Sequence, residues 1–363
     1  MRKESPIFFD DERNEWNVFR YVDAQTVLKE DKYFISEGRK PGRERIRLSR
    51  HRDMFRIAFG DDFLEEISRR IRNVGNDLVS QIPNGEAVDV MEVLAYPLQI
   101  KVSNEFLGIP EEDRDAFTRW TQQAIAMVEE GEKVTFKDPG AKVELLTKYK
   151  GTLTEIASYF RGIIDQRRSN PTHDMISALA LSHKNTNERE LLSFYLRLLE
   201  SRQDITHLVG NSLWTLAECP SSFEALHNDS TLLPNAIEEI LRFRSPIQAV
   251  ERTVAFERAV NGIRFKQGQN VLVWIGSANR DEEVFFEADK FAIGRKPIPS
   301  LAFGYGIDSC CGSWLSRPEA SIVLEAVIRK FEKVTLEREP DLLDNPRLLG
   351  PKHLLLNCGA ENS

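Results

Sequence analysis

The segment from Phe303 to Arg317, which reads FGYGIDSCCGSWLSR, constrains this chain more than any other stretch. It contains a loop with Gly304 and Gly306, then two cysteines, then a sequence predicted to be helical from about Gly312. Glycine adopts backbone angles that other residues avoid, so such a loop can fold tightly beneath a flat group. A thiolate just before a helix N-terminus is stabilised by amide donors and by the helix dipole. This pattern suits a cysteine that ligates haem iron, although a lone buried cysteine at a loop–helix junction is also a common structural feature.

The same segment resembles the haem-binding loop of the cytochrome P450 superfamily, which reads Phe-x-x-Gly-x-His/Arg-x-Cys-x-Gly-x-x-Leu-Ala. The residues of this chain that match the pattern are Phe303, Gly306, Cys310, Gly312 and Leu315. The resemblance makes Cys310 the thiolate ligand to the iron of haem b and places Phe303, Gly306, Asp308 and Gly312 beside that cofactor. It also implies a mainly α fold with a small β region. In that fold, a triangular prism, the haem lies between a long distal helix and the proximal cysteine loop.

Length and composition are consistent with one domain covering residues 1–363. The chain is 41% hydrophobic, which is enough for one large core. A formal charge of −8 argues against nucleic acid as the main partner. The sequence has no apolar run of about 18 residues, and its first residues lack a signal-peptide core. Only four cysteines occur, which fits a reducing compartment. We therefore expect a cytoplasmic protein without a membrane partner, and take a monomer as the default oligomeric state.

The hydrophobic pattern predicts the main elements. Apolar periodicity and turn residues indicate helices over 47–81, 87–108, 142–168 and 188–218, a hairpin over 6–20, and strands over 246–275. Asp23 is a candidate N-cap for the helix after the hairpin. Two segments, 35–50 and 131–141, are predicted to be loops near the substrate.

Two charged residues on one helix, Glu239 and Arg242, are three positions apart and can pair on one face. Read alone, they form an ordinary exposed ion pair of little energetic value. They also match the Glu-x-x-Arg element of the P450 superfamily, whose third member here is Arg295. The resemblance then implies a buried, structural charge network that holds the proximal loop beneath the haem.

Buried haem propionates need cationic or hydrogen-bonding partners. The resemblance gives this role to Arg52 and Arg252, although solvated arginines would also fit the sequence. Other family donors are replaced: Leu48 and Ser300 stand where histidines are usual, and Asp308 stands for His or Arg. Asp308 would repel a propionate unless a cation intervenes, for which His51 and Arg50 are candidates. We therefore predict weaker haem retention or an altered propionate geometry.

The stretch LLESRQDITHLVGNSLWTLAECP resembles the superfamily's long distal helix. There the family has Ala/Gly-Gly-x-Asp/Glu-Thr, whose acid and alcohol deliver protons for O–O cleavage; this chain has Glu200 to Asp204. Gln203 replaces the acid and is not a useful proton donor, while Asp204 replaces the threonine. Asp204 could relay protons itself, together with His207 on the same helical face. A polar helix face wetted by pocket water is the alternative interpretation.

Three functions are compatible with these residues. The first is a monooxygenase that oxidises a small organic substrate with electrons from a separate ferredoxin or flavodoxin type donor. The second is a peroxide-driven or non-oxidative haem-thiolate catalyst that needs no acid–alcohol relay, with Arg202 or His207 holding an acidic substrate. The third is a haem-binding protein without catalysis. The basic cluster Arg69, Arg70 and Arg72 is a weak candidate for attracting an acidic electron donor.

Overall fold

The computed structural model describes residues 1–36, 61–133, 139–182, 188–296, 298–306, 309–310 and 313–359. It divides into two compact units. The first comprises Met1–Arg50, Gly75–Ala95 and Asp204–Ser363, and the second comprises His51–Val74 and Tyr96–Gln203. Within the described part of the chain, none of the helices combines the length and apolarity needed to cross a bilayer.

Helices make up most of the described residues. In chain order they are α1 (Tyr21–Lys29), α2 (Asp61–Ser80), α3 (Tyr96–Leu107), α4 (Arg114–Lys133), α5 (Pro139–Lys148), α6 (Lys150–Ser169), α7 (Met175–Ser182), α8 (Glu188–Glu218), α9 (Pro220–Asn228), α10 (Leu233–Phe243), α11 (Ile275–Ala278) and α12 (Ser313–Lys330). A π-helix, Met91–Ala95, runs directly into α3. The predicted helix over 188–218 is confirmed, and the one over 142–168 is divided at Tyr149 into α5 and α6.

The strands form small sheets in the first unit. They are β1 (Ile7–Asp10), β2 (Glu15–Val18), β3 (Phe34–Ile35), β4 (Ala87–Asp89), β5 (Val250–Val254), β6 (Arg258–Val260), β7 (Ile263–Phe265), β8 (Asn270–Val273), β9 (Lys333–Leu336), β10 (Asp341–Leu342), β11 (Pro351–His353) and β12 (Leu355–Gly359). The largest sheet has the order β1-β2-β8-β5-β3, in which β2 and β8 are parallel. The others are β4-β12-β9, β10-β11 and β6-β7.

The predicted hairpin over 6–20 and the strands over 246–275 are confirmed. β1 and β2 pair in antiparallel register around a turn in which Asn14 has a positive φ of 54°. β5 and β8 bury alternate apolar side chains against the core of the first unit, where Val254, Val271 and Val273 are at most 1% exposed. The chemical cause is the one read from the sequence: β-branched residues at a period of two.

The boundaries of several predicted elements are wrong. Residues 87–89 are strand β4 and not helix, because they pair with β12 near the end of the chain. Asp23 is not an N-cap: α1 begins at Tyr21, and Asp23 lies in its first turn, bonded to the guanidinium of Arg20 at 3.0 Å.

The predicted loops are tested only in part. Residues 131–133 and 139–141 are helical, in α4 and α5. The remainder of the 131–141 segment, most of the 35–50 segment and the start of the predicted 47–81 helix lie outside the described residues.

The second unit is built around aromatic side chains. Phe117 in α4 lies 5.1 Å from Tyr195 in α8 and 6.4 Å from Phe160 in α6, measured between ring centroids. The Tyr195 and Thr121 hydroxyls share a hydrogen bond of 2.7 Å. Burial raises the pKa of the Tyr195 phenol above its usual value. The hydrogen bond with Thr121 satisfies the Tyr195 hydroxyl, which would otherwise be costly to bury.

Candidate active site

The cysteine loop is closed by its own backbone. The amide of Cys310 donates a hydrogen bond to the carbonyl of Phe303 at 2.8 Å. Gly304 and Gly306 have φ angles of 73° and 76°, which residues with side chains rarely adopt. A Cβ atom on Gly306 would also lie 3.2 Å from the Cα of Lys29. The loop therefore requires glycine at these positions.

Cys310 stands immediately before α12. Its carbonyl accepts a hydrogen bond of 3.3 Å from the amide of Ser313, the first residue of that helix. The helix begins within a residue of the predicted start, so Cys310 lies next to the positive end of its dipole. Cys310 is half-buried and not in a disulfide. Asp308 and Gly312 lie outside the described residues.

A basic side chain joins this loop to α10. The guanidinium of Arg317 lies 4.7 Å from the centroid of the Phe303 ring, a cation–π distance. The same guanidinium forms an ion pair with Glu238. Arg317 thus holds the Phe303 ring against α12, as expected for a residue at the base of the cysteine loop.

The charge network predicted around Glu239 is confirmed and buried. Arg242 and Glu239 form two parallel bonds of 2.8 Å, with side-chain exposures of 2% and 3%. Arg295 Nε contacts both oxygens of Glu239 at 3.0 Å. Arg242 also donates to the carbonyls of Asn279 and Ala288 at 3.0 and 2.7 Å. One carboxylate and two guanidiniums therefore fix the chain that precedes the cysteine loop, and the alternative of an exposed pair is excluded.

Two of the residues considered for the propionates lie in the described chain. Arg252 in β5 is 7% exposed and donates to the carbonyl of Glu251 at 2.8 Å. The Ser300 hydroxyl is buried without a hydrogen-bond partner among the described residues. Such a hydroxyl is costly to bury unless a ligand supplies an acceptor, and a haem carboxylate is one. These residues and the Cys310 thiol, which is not in a disulfide, fit a thiolate-ligated haem. Leu48, Arg50, His51 and Arg52 lie outside the described residues.

His207 lies on a buried face of the distal helix α8. The residue is 6% exposed, and its Nδ1 atom has no hydrogen-bond partner among the described residues. Burial lowers the pKa of its imidazole to about 4, so the ring is neutral at pH 7. The ring lies against the backbone of Gly350, where any Cβ atom would overlap it. The side chains of Gln203 and Asp204 lie outside the described part of α8.

The face of α8 that carries His207 continues as a polar stripe. One turn later, Asn211 donates to the carbonyls of Leu349 and Arg244 at 2.8 and 3.1 Å. A further turn on, the Thr215 hydroxyl accepts a bond of 2.9 Å from Arg244. The stripe connects the distal helix to the segment after α10 and to the segment before β11.

Sequence reasoning missed the segment 347–350. The amide of Gln248 donates to the carbonyl of Arg347 at 2.7 Å, and Ile247 forms an isolated antiparallel bridge with Leu348. Ile247 and Leu348 are half-buried, so each keeps a partly accessible apolar side chain. The signal in the sequence was only the turn-forming Gly350-Pro351 pair.

Comparison with known proteins agrees with this geometry. Residues 220–357 match the sequence profile of the family described as Cytochrome P450. The putative cytochrome P450 YjiB of Bacillus subtilis is 31% identical over 91% of this chain and 85% of its own length. The erythromycin C-12 hydroxylase of Saccharopolyspora erythraea is 30% identical over 99% and 93%. A crystal structure of CYP109E1 from Bacillus megaterium in complex with testosterone has a TM-score of 0.87 at 31% identity, covering 98% of this chain and 96% of that one.

A cysteine outside any disulfide on a glycine-built loop, a buried Glu-Arg-Arg network and a long distal helix are the features of a haem-thiolate protein. With these relatives, the chain belongs to the cytochrome P450 family. It has the P450 fold, mainly α with small sheets. It is a haem-thiolate monooxygenase that oxidises a small molecule with electrons from a redox partner. The haem-thiolate monooxygenase of the leading hypothesis is thus confirmed, and its ferredoxin or flavodoxin type donor stays a prediction.

Proposed function

We propose that Cys310 is the axial ligand of the haem iron, with Phe303, Gly306, Asp308 and Gly312 forming the loop around it. The observation that carries this proposal is the bond from the Cys310 amide to the Phe303 carbonyl. This bond fixes the sulfur-bearing residue at the end of a closed loop and directly before α12. When bound, thiolate-ligated haem supplies oxygen activation. The protein positions the haem and the substrate, excludes water and delivers protons.

Arg252 and Ser300 hold the propionates in this proposal, together with Arg52. Arg252 offers a charged donor and Ser300 a neutral one, so a propionate beside Ser300 is bound less tightly than by the family's usual cation. This supports weaker haem retention, the expectation from the sequence. Asp308 adds a negative charge to the same loop and acts in the same direction.

The substrate we propose is a mainly apolar molecule of several fused rings or a macrocycle. Two observations support it. The bridged residues Ile247 and Leu348 present partly accessible apolar side chains beside the polar stripe of α8. The relatives and structural neighbours include one with testosterone bound and one named for the hydroxylation of erythromycin. Apolar contact area would supply most of the affinity, and few polar groups would orient the ring system.

Asp204 and His207 form the proton relay in this proposal, with Gln203 positioned beside it but unable to donate a proton. A neutral imidazole accepts a proton at one nitrogen and releases one at the other. The pKa of His207, about 4, keeps it in that neutral form across the physiological range. His207 Nδ1 is buried beside Gly350 and bonds to no described residue, so the nitrogen that exchanges protons with Asp204 in this proposal is Nε2.

Electron supply tests this proposal. The haem-loaded protein is given a steroid or macrolide panel with NADPH, a ferredoxin and its reductase, or with a flavodoxin, and in parallel with hydrogen peroxide. We expect hydroxylated product with a reductase system, and a fall of at least tenfold for Asp204→Asn that peroxide largely restores. The relay would be overturned if product formed with peroxide but not with a reductase system, and at the same rate in Asp204→Asn as in the parent protein. That result would favour the peroxide-driven alternative.

The electron donor of this proposal is a ferredoxin or flavodoxin type protein. The basic cluster offered by the sequence is not a strong docking candidate, because Arg69 and Arg70 both pair with Glu66, at 2.8 and 2.9 Å. Glu66 balances one of these two positive charges, and Arg70 also lies 3.6 Å from Glu105, so the cluster offers a partner a reduced net charge. We further propose that the chain acts as a cytoplasmic monomer and as one P450 domain over residues 1–363.

A further inference from the structure

Three side chains with metal-binding atoms meet on the first unit, in residues that the proposed haem site does not use. Asp89 ends β4, Glu92 lies in the π-helix, and His353 ends β11. His353 Nδ1 lies 2.6 Å from Asp89 Oδ2 and 3.8 Å from Glu92 Oε1. The three ligand atoms all lie within 4.8 Å of one another. Three elements, from two stretches of chain far apart in sequence, thus bring one imidazole and two carboxylates to one point.

Asp89 is fixed in position by the backbone. Its Oδ1 atom accepts the amide of Met91 and the amide of Leu354, each at 3.0 Å. These bonds leave Oδ2 directed at His353, so one ligand is held before any ion arrives. The side chains of His353 and Glu92 are 47% and 64% exposed, against 13% for Asp89. The site therefore has one rigid ligand, Asp89, and two adjustable ligands, His353 and Glu92, and it is open to water.

We propose that Asp89, Glu92 and His353 bind a divalent ion of the zinc class, with water in the fourth position. Imidazole and carboxylate are ligands of such ions, whereas magnesium and calcium take oxygen ligands. A tetrahedral ion with bonds of about 2.0–2.2 Å holds its ligand atoms about 3.3–3.5 Å apart. The separations of His353 Nδ1 from Asp89 Oδ2 and from Glu92 Oε1, 2.6 and 3.8 Å, lie on either side of that value, so small rotations of His353 and Glu92 reach it. Binding replaces the hydrogen bond between His353 and Asp89 and releases any proton on Nδ1.

The bound ion would tie the start of the π-helix to β11. Residues next to these ligands converge on the distal helix: a Cβ atom on Gly210 would lie 2.7 Å from Met91 Sδ and 3.0 Å from Pro351 Cγ. Metal binding would therefore hold together two segments that pack against the same point of α8. The expected effect is a higher unfolding temperature, independent of turnover.

The test is isothermal titration of the chelator-stripped, haem-loaded full chain with Zn²⁺. We expect one equivalent to bind at micromolar concentration, and the Kd to rise at least tenfold in both His353→Gln and Glu92→Gln. Difference spectra against the metal-free protein, which subtract the haem absorption, should show the visible bands of tetrahedral Co²⁺ in the parent protein and not in either variant. His173→Gln, which changes an exposed imidazole elsewhere, is the matched control and should leave the Kd unchanged.

Asp89 is not the residue to change first, because its backbone bonds also support β4 and the π-helix. The haem spectrum of each variant shows whether it folds. Binding only at millimolar Zn²⁺, or equal affinity in His353→Gln and the parent protein, would overturn the proposal. Loss of affinity in His173→Gln instead would assign the ion to another site and overturn it equally.

Discussion

At the scale of single residues, the sulfur of Cys310 carries the largest consequence. The loop places two cysteines in sequence, but only Cys310 stands at the family's ligand position. Cys310→Ala should therefore abolish the red-shifted Soret band that the reduced, carbon monoxide-bound haem thiolate gives. Cys219→Ser, at a half-buried cysteine before α9, should keep that band. A thiolate spectrum that survives in Cys310→Ala would make Cys311 the ligand.

His207 should make stability depend on pH. Its pKa is about 4 in the folded chain, against the ordinary histidine value of 6.5 in the unfolded chain. Between pH 4 and pH 6.5 the unfolded chain therefore binds a proton that the folded chain does not. The free energy of unfolding therefore falls as pH drops through this window, by about 2 kcal/mol between pH 7 and pH 5. Urea unfolding at both pH values, for the parent and for His207→Gln, measures it. An equal pH dependence in the variant would contradict the assignment.

At the scale of elements, the Glu239 network joins α10 to the chain before the cysteine loop. Glu239→Gln leaves Arg242 and Arg295 buried without their carboxylate, which should cost about 3–5 kcal/mol and weaken haem retention. The neighbouring Glu238→Gln breaks a pair whose side chains are 34% and 39% exposed, and should cost at most about 1 kcal/mol. Chemical unfolding of the two variants side by side measures the contrast. Equal losses would mean that burial of the network is not what stabilises it.

The distal helix is packed at Gly210 to the limit of contact. Gly210→Ala places a methyl group against Met91 and Pro351 and should destabilise the fold by about 1–3 kcal/mol. Gly162→Ala is the matched control, since Gly162 is an exposed residue of α6 with nothing within 4 Å of its missing Cβ. That change should stabilise the protein by about 0.4–1 kcal/mol. Thermal unfolding distinguishes the two, and a neutral Gly210→Ala would show that β11 or the π-helix yields.

At the scale of the whole molecule, local signals predicted some features and missed others. Helix α8 and the hairpin were predictable because their periodicity lies within one stretch of sequence. Strand β4 was missed because its partner, β12, lies near the other end of the chain, and propensity cannot anticipate that pairing. The Glu239 network was predictable from a motif. The contact of His207 with Gly350 was not, because no periodic pattern links α8 to a turn so distant in sequence.

The parallel pairing of β2 with β8 can form only late in the synthesis of the chain. Glu15 pairs with Asn270, so the inner edge of the N-terminal hairpin remains open until β8 leaves the ribosome. At about 5–20 residues per second, the roughly 250 residues between β2 and β8 take tens of seconds to synthesise, and the edge of β2 stays unpaired for that time. During this interval Trp16 keeps its contact with Phe9, at 4.9 Å between ring centroids, but lacks its contact with Phe265, which is synthesised just before β8. An unpaired strand flanked by aromatics is prone to aggregate, so we expect the nascent chain to be more exposed to aggregation than the folded enzyme.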